Sequence, residues 1–491
     1  MNDLVALLND WVWSAALIYL CLGAGLWFSI RTRFVQLRGI PLMIRSLTHS
    51  HASRAGVSSF QALSISLSGR VGTGNIAGVA TAITFGGPGA VFWMWVVAFL
   101  GASTAFVEST LGQIYKEQDP RGQYRGGPAY YIEKAMGQRW YAWMFAVCAV
   151  IATGFLLPGV QANSMAAAAE TAWGIDRMWT AGFAGIFLAF IIFGGVRRIA
   201  IFAEFAVPFM AVAYVALAVV ILSINVSAIP DLFALIIRSA FGLEAGFGAV
   251  LGMAIQWGVK RGIYSNEAGQ GTGPHAAAAA EVDHPARQGY VQAFSVYVDT
   301  LLVCTATALM ILSTGRYNVQ APDGSMLTEH LPGVEAGPAY TQAAIDTVLE
   351  GYGSGFVAIA LFFFTFTTIV AYYYMAETNI AWINKRVHRP WLSRVLRFGI
   401  IATVCFGAVR SAGTAWAFGD LGVGLMAWLN IIALFILQRP AIIALRDFEE
   451  QVKRGAQVRF EPDKLGIAHA DIWRKIDSQS ESGSAPIKQV D

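Results

Sequence analysis

Eleven apolar runs mark this chain, each long enough to cross about 30 Å of hydrocarbon as a helix. They cover residues 11–30, 60–84, 88–115, 142–170, 178–194, 199–224, 245–275, 288–314, 354–384, 395–412 and 416–438. Two of them are interrupted. In the second run, SLSGRVGTGNIAG (Ser66–Gly78) places Gly72, Gly74 and Gly78 beside Arg70, Thr73 and Asn75 at the depth of the lipid. In the seventh, WGVKRGIYSNEAGQGTG (Trp257–Gly273) does the same with Lys260, Arg261, Ser265, Asn266, Glu267 and Gln270. A backbone that loosens there frees amides and carbonyls that hydrocarbon cannot solvate, so each break must face protein or a water-filled cavity. Paired interruptions of this kind point to a transporter's binding site.

The connecting loops set the orientation, because lysine and arginine collect on the cytoplasmic side. Arg31, Arg33, Arg38, Arg45 and Arg54 follow the first run with no acid among them, and Arg197, Arg198, Lys385, Arg386, Arg389, Arg394 and Arg397 recur around the loops four and eight connections later. Loop 315–353 is acidic instead. The expected topology therefore has the N-terminus outside and the C-terminus in the cytoplasm. Run 11–30 is too long for a signal-peptide core and lacks a basic lead-in, so it is a retained span.

Setting that span aside leaves five runs between 60 and 224 and five between 245 and 438. Two successive units of five must insert with opposite orientation, so any repeat between them is inverted, and the interrupted run comes first in each. The division is 1–54 (leading helix and basic loop), 55–230 (first repeat), 231–439 (second repeat) and 440–491. The last part turns polar and mixed in charge, and is expected to be a tail with one short amphipathic helix followed by disorder.

Composition narrows the function classes. The chain is 56% hydrophobic and 13% charged over 491 residues, with a net charge of +3. It therefore lacks the charge of a nucleic-acid binder. Four scattered cysteines give neither a disulfide framework nor a zinc pattern. No phosphate-binding glycine loop, metalloprotease helix or nucleophile elbow occurs, so the usual signatures of ATP-driven transport and hydrolysis are missing. His49 and His51 have no ligand partners nearby.

Each candidate residue also has a plainer role. Gly74 and Gly78 form a small-residue contact motif, but packing alone does not require Thr73 and Asn75 at membrane depth. Ser265 and Asn266, neutral and next to glycines, fit a binding role. Lys260, Arg261 and Glu267 fit a structural network with Arg70, Glu108, Glu204 or Asp299 as well as they fit direct ligation. Gln161, following Pro158-Gly159, suits either a central cavity or one interhelical hydrogen bond. Thr365, Thr367 and Thr368 form a hydroxyl cluster, although threonine also bonds back to its own helix.

Three stretches together resemble the alanine or glycine:cation symporters, also called sodium:alanine symporters. These are Gly86–Gly101 (GGPGAVFWMWVVAFLG), VGTGNIAGVATAI from Val71 and RGIYSNEAGQGT from Arg261. The resemblance implies an all-α bundle of eleven helices in the bacterial cytoplasmic (inner) membrane, a leucine-transporter-type five-plus-five inverted repeat behind one extra helix. It implies a small amino acid, alanine or glycine, with its carboxylate at Gly72, Thr73, Gly74 and Asn75. The ammonium would lie near Gln161 and the carbonyls around Ile263, Ser265 and Asn266. It further implies a co-transported sodium on Ser68, Val71, Phe364, Thr367 and Thr368, while Arg70 argues against a second sodium beside it. A proton-coupled carrier of the same fold is the alternative, with Glu108, Glu204, Asp299 or Glu377 as the titrating group. The implied chemistry is transport, not catalysis.

Overall fold

The computed structural model of the protein describes residues 2–48, 56–193, 196–244, 247, 250–385 and 389–481. His49, His51, Arg54 and Arg386 lie outside the described residues, as do the side chains of Arg197, Arg198 and Glu204. The chain is mostly helical. Among the described residues, seven helices are long and apolar enough to span a membrane. An eighth is counted if Pro208–Ile224 and Val226–Ala240, bent by 84°, form one span. The three other expected runs are a shorter apolar helix, Arg177–Ile192, and the two interrupted ones, whose halves are each short.

The distribution of side chains is inverted relative to a water-soluble protein. Ile186, Phe190, Phe209 and Phe398 are 76%, 70%, 70% and 64% exposed, whereas Thr73, Asn75, Gln161, Ser265, Asp299 and Thr368 are all 0–1% exposed. Apolar surface outside and satisfied polar groups inside is the arrangement hydrocarbon imposes. Small residues then bring helices together. Gly159 in Leu157–Trp173 meets Gly407 in Pro390–Ala408 so closely that a Cβ on Gly407 would stand 2.3 Å from the Gly159 Cα. Gly407→Ala is therefore expected to destabilise the bundle by about 1–3 kcal/mol. A lowered midpoint of thermal unfolding in detergent is the check.

The glycines of the seventh run divide by role. Gly258 and Gly262 lie within the helix Leu251–Asn266, where a Cβ would meet Trp93 at 2.5 Å and Val97 at 2.3 Å, so they are packing sites against Gly89–Ile114. The break comes later. Glu267 (φ 57°), Gly269 (φ 86°) and Gly271 (φ 84°) turn the chain through left-handed geometry before the helix resumes at Gly273–Ala279.

Other expectations change. Loop 315–353 carries a two-stranded hairpin, Asn318–Gln320 with Met326–Glu329, and a helix, Pro338–Asp346. The last span does not stop near 438. It continues through Pro440 as one helix, Ala412–Lys453, so the boundary expected at 440 falls inside it. The polar tail is not a loose appendage either: Phe460, Ile467, Ala470 and Trp473 are 0–3% exposed, and the helix Asp471–Glu481 follows.

Candidate functional site

The first interrupted helix begins at a capping box, in which Ser58 and Gln61 each accept from the other's backbone amide at 3.1 Å. It runs over Ser59–Arg70 and stops where Val71 turns extended (φ −77°, ψ 92°). Backbone partners then change. The Gly72 amide, which an unbroken helix would aim at Ser68, donates to Asn75 Oδ1 at 2.8 Å. The Thr73 amide donates to Gln161 Oε1 at 3.0 Å, and the Thr73 hydroxyl bonds Ser164. The Asn75 amide turns to the Gly72 carbonyl at 3.3 Å. These substitutions release the carbonyls of Ser68 and Val71.

Both released oxygens face one hydroxyl. Thr368 Oγ1 lies 2.8 Å from the Ser68 carbonyl, 3.3 Å from that of Val71 and 2.8 Å from that of Phe364. A hydroxyl carries one proton, so it cannot satisfy all three carbonyls at once, although that of Phe364 also accepts from Thr367 Oγ1. Such a surplus of lone pairs matches the all-oxygen ligand set of a hard cation. The structure thus brings Ser68, Val71, Phe364 and Thr368 together. Thr367 stands apart, its hydroxyl bonded to the Phe363 and Phe364 carbonyls of its own helix at 2.9 Å each. A Cβ at Gly72 would fall 2.5 Å from Thr368 Oγ1, so only glycine leaves this contact open.

The two breaks meet. A Cβ on Gly74 would lie 3.1–3.3 Å from the Cα, Cβ and Oγ of Ser265. Asp299, fully buried in the π-helical stretch Tyr297–Cys304, ties the breaks together. It accepts from Asn75 Nδ2 at 2.6 Å, from Ser265 Oγ at 3.0 Å and from Thr300 Oγ1 at 2.6 Å. Ile263 is less available than expected, because its carbonyl already accepts from the Glu267 amide at 2.9 Å and from Gln270 Nε2 at 2.6 Å. Asn266 accepts from the Ala268 amide at 3.0 Å while its Nδ2 has no partner.

Charged groups stand on both sides of this junction. On one side Arg261 forms a bidentate pair with Asp420, 2.9 Å on each arm, and Lys260 reaches the same carboxylate at 2.8 Å. Lys260 and Arg261 are therefore not paired with Glu108 or Asp299, and the group that holds them is one the sequence analysis did not single out. Trp416 covers the pair, with the Arg261 guanidinium 4.1 Å above its ring, and meets the Tyr264 ring at a tilt of 52°, centroids 4.8 Å apart. On the other side Glu108 accepts from the amides of Gly269 and Gly271 at 3.2 Å each and from Asn430 at 2.8 Å, which fixes the second loosened turn. Arg70 reaches away to the Gln292 carbonyl at 3.0 Å and to Ser295, leaving its Nε and Nη2, like both oxygens of Glu267, without a hydrogen bond.

The sequence model of the sodium:alanine symporter family matches residues 1–462. The chain belongs to that family. A Bacillus subtilis protein provisionally named a sodium/proton-dependent alanine carrier is 60% identical over 97% of this chain and 98% of its own length. The sodium/proton-dependent alanine carrier of Bacillus sp. strain PS3 is 52% identical over 88% of this chain and 97% of its own. The sodium/alanine symporter of Methanococcus maripaludis is 36% identical over 93% and 99%. Among solved structures, a sodium-coupled sialic acid symporter in a substrate-bound outward-open state superposes with a TM-score of 0.51 at 12% identity. That match covers 98% of this chain and 99% of the other, and at such identity it shows the fold alone.

Proposed function

We propose that this protein is a secondary symporter that couples sodium entry to uptake of a small neutral amino acid, alanine or glycine. The observation that carries the reading is the Thr368 hydroxyl facing three carbonyls, two of them released by the first break. Sodium replacing that proton network would tie the first break to the helix Gly353–Ile383. The zwitterion would sit where the breaks meet, its carboxylate on the amides of Gly72 to Asn75, of which the Asn75 side chain holds that of Gly72 and the Gln161 side chain that of Thr73 in this conformation. With the Ile263 carbonyl engaged, Ser265, Asn266 and Gln161 are left to face the ammonium. Each ligand then raises the affinity of the other, and the site opens alternately to either side.

The architecture we propose adds the two interrupted helices and Arg177–Ile192 to the eight spans, giving eleven in the inner membrane. Residues 1–54 lead, and 55–230 and 231–439 form inverted repeats. The arginine-rich loop 31–54 puts the starts of Ser59–Arg70 and the C-terminal tail in the cytoplasm, with the N-terminus outside.

Proton coupling in the same site is favoured by one observation. Asp299 is fully buried, and among the described residues no cationic side chain lies within ion-pair distance of it. Glu108 is clamped by backbone amides, and Glu377 pairs with Arg125 at 3.6 Å, so of the candidate carboxyls among the described residues Asp299 alone joins both breaks. Counterflow of labelled alanine in proteoliposomes separates the readings. Symport with sodium predicts counterflow with sodium outside and little with choline, blocked by glycine and not by leucine. Full activity in choline that rises as external pH falls would assign the coupling to protons instead.

A further inference from the structure

The cytoplasmic ends of the two interrupted helices are joined to each other. Just before Ser59–Arg70, the Val57 amide donates to the Ala279 carbonyl at 3.0 Å, and the Glu281 amide returns a bond to the Val57 carbonyl at 3.0 Å, a short parallel bridge. Gln113, at the end of Gly89–Ile114, donates to the Ala280 carbonyl at 2.9 Å, and Lys116 Nζ reaches the same oxygen at 2.7 Å. Any opening of the site toward this face has to part that bridge.

The C-terminal segment lies beneath it. From Lys453 the chain doubles back, with the Gln451 side chain accepting from the Arg459 amide and donating to its carbonyl, both at 2.8 Å. Phe460 then packs between His284 and Trp473, with ring centroids 5.0 and 5.1 Å away. Trp473, 2% exposed, donates from its indole to the Gln113 carbonyl at 3.0 Å, and the Lys116 ammonium stands 5.1 Å over its ring. Asp471 pairs at 2.9 Å with Lys134, which precedes the helix Arg139–Ile151 and also reaches Glu117 at 3.2 Å. Trp473 and Asp471 thus hold the end of the segment to Gly89–Ile114 and to Lys134, while Phe460 holds its start against His284, the cap of Pro285–Val296, which follows the second interrupted helix. Trp473 and Asp471 also lie beyond the residues matched by the family's sequence model, which end at 462.

We propose that residues 456–476 are a latch that holds the cytoplasmic face closed, with Trp473 as wedge and the Asp471–Lys134 pair as tether. The assignment of this face to the cytoplasm rests on the topology and symport proposed above. Lys116 both holds the Ala280 carbonyl at the bridge and stands over Trp473, so parting the bridge with the segment still docked breaks the Lys116–Ala280 contact, and the latch weights the closed state against the open one.

The test compares Trp473→Ala and Asp471→Asn with the parent, in protein reconstituted at equal amounts. Hydrogen exchange of the Val57 and Glu281 amides and the ratio of alanine efflux to uptake are measured. The latch predicts that Trp473→Ala speeds exchange at both amides by about fivefold and raises the efflux ratio by a similar factor, the lower end of conformational coupling. Asp471→Asn, at a half-exposed surface pair, should shift both in the same direction by less. Parental exchange and ratio in both variants would overturn the proposal. So would a uniform rise in exchange along Gly89–Ile114 with an unchanged ratio, because that describes loosened packing only. Failure of sodium-driven transport in the parent would count against the symporter reading and leave the exchange comparison intact.

Discussion

Thr368→Val is expected to raise the sodium concentration for half-maximal uptake by about 10- to 100-fold, the loss of one hydrogen-bonding partner of a charged group. The substitution keeps the volume of the side chain and removes only its oxygen. The carbonyls of Ser68 and Val71 lose the hydroxyl donor they share, that of Phe364 keeps only Thr367's, and the ion has one ligand fewer. Protein abundance in the membrane should remain near that of the parent, and Thr368→Ser should recover most of the sodium affinity. Sodium titration of alanine uptake in proteoliposomes decides the matter. An unchanged sodium dependence in the valine variant would remove this cluster from the coupling mechanism.

Asp420→Ala has the largest effect expected on stability. Arg261 is 1% exposed and Lys260 9%, and Asp420 is the acid that pairs with both. Removing it leaves two cations in a poorly hydrated site, a loss of about 3–5 kcal/mol for a buried pair broken from one side. The rings of Trp257 and Trp416 offset only part of this. Adding Arg261→Met to Asp420→Ala should recover stability, because one unpaired charge goes with it. Thermal unfolding of the purified variants is the measurement, and an Asp420→Ala protein as stable as its parent would mean that water reaches these cations.

Both breaks could be read in the sequence because they violate a strong constraint: Thr73 and Asn75 in one, and Ser265 and Asn266 in the other, have no place beside glycines in plain lipid-facing helices. Partners were harder to see. Asp420 is the lone acid of its run, a signal that intramembrane charge alone supplies, yet nothing local says that it lies across from Arg261. Asp299 and Glu108 have the same character, since their roles depend on contacts with Ser265 and Gly269 that only the fold creates. The oxygens around Thr368 came from resemblance, because a backbone carbonyl has no letter in a sequence.

The far end of the chain misled for a different reason. Arg439 and Pro440 end the apolar run, so the helix that continues to Lys453 looks finished too early. Beyond it, the average polarity of 454–476 hides a few anchors. Phe460 and Trp473 are enough to dock the segment because the surface they cover already presents an indole acceptor at Gln113 and a cation at Lys116.

Equilibrium binding of labelled alanine to the purified protein, in sodium and in choline at constant ionic strength and pH, tests the shared site most directly. Breaks that hold solute and ion together predict an alanine affinity at least about tenfold higher in sodium, a coupling of ordinary size, and loss of that difference in Thr368→Val. Equal affinity in the two salts, with the valine variant indistinguishable from its parent, would contradict it.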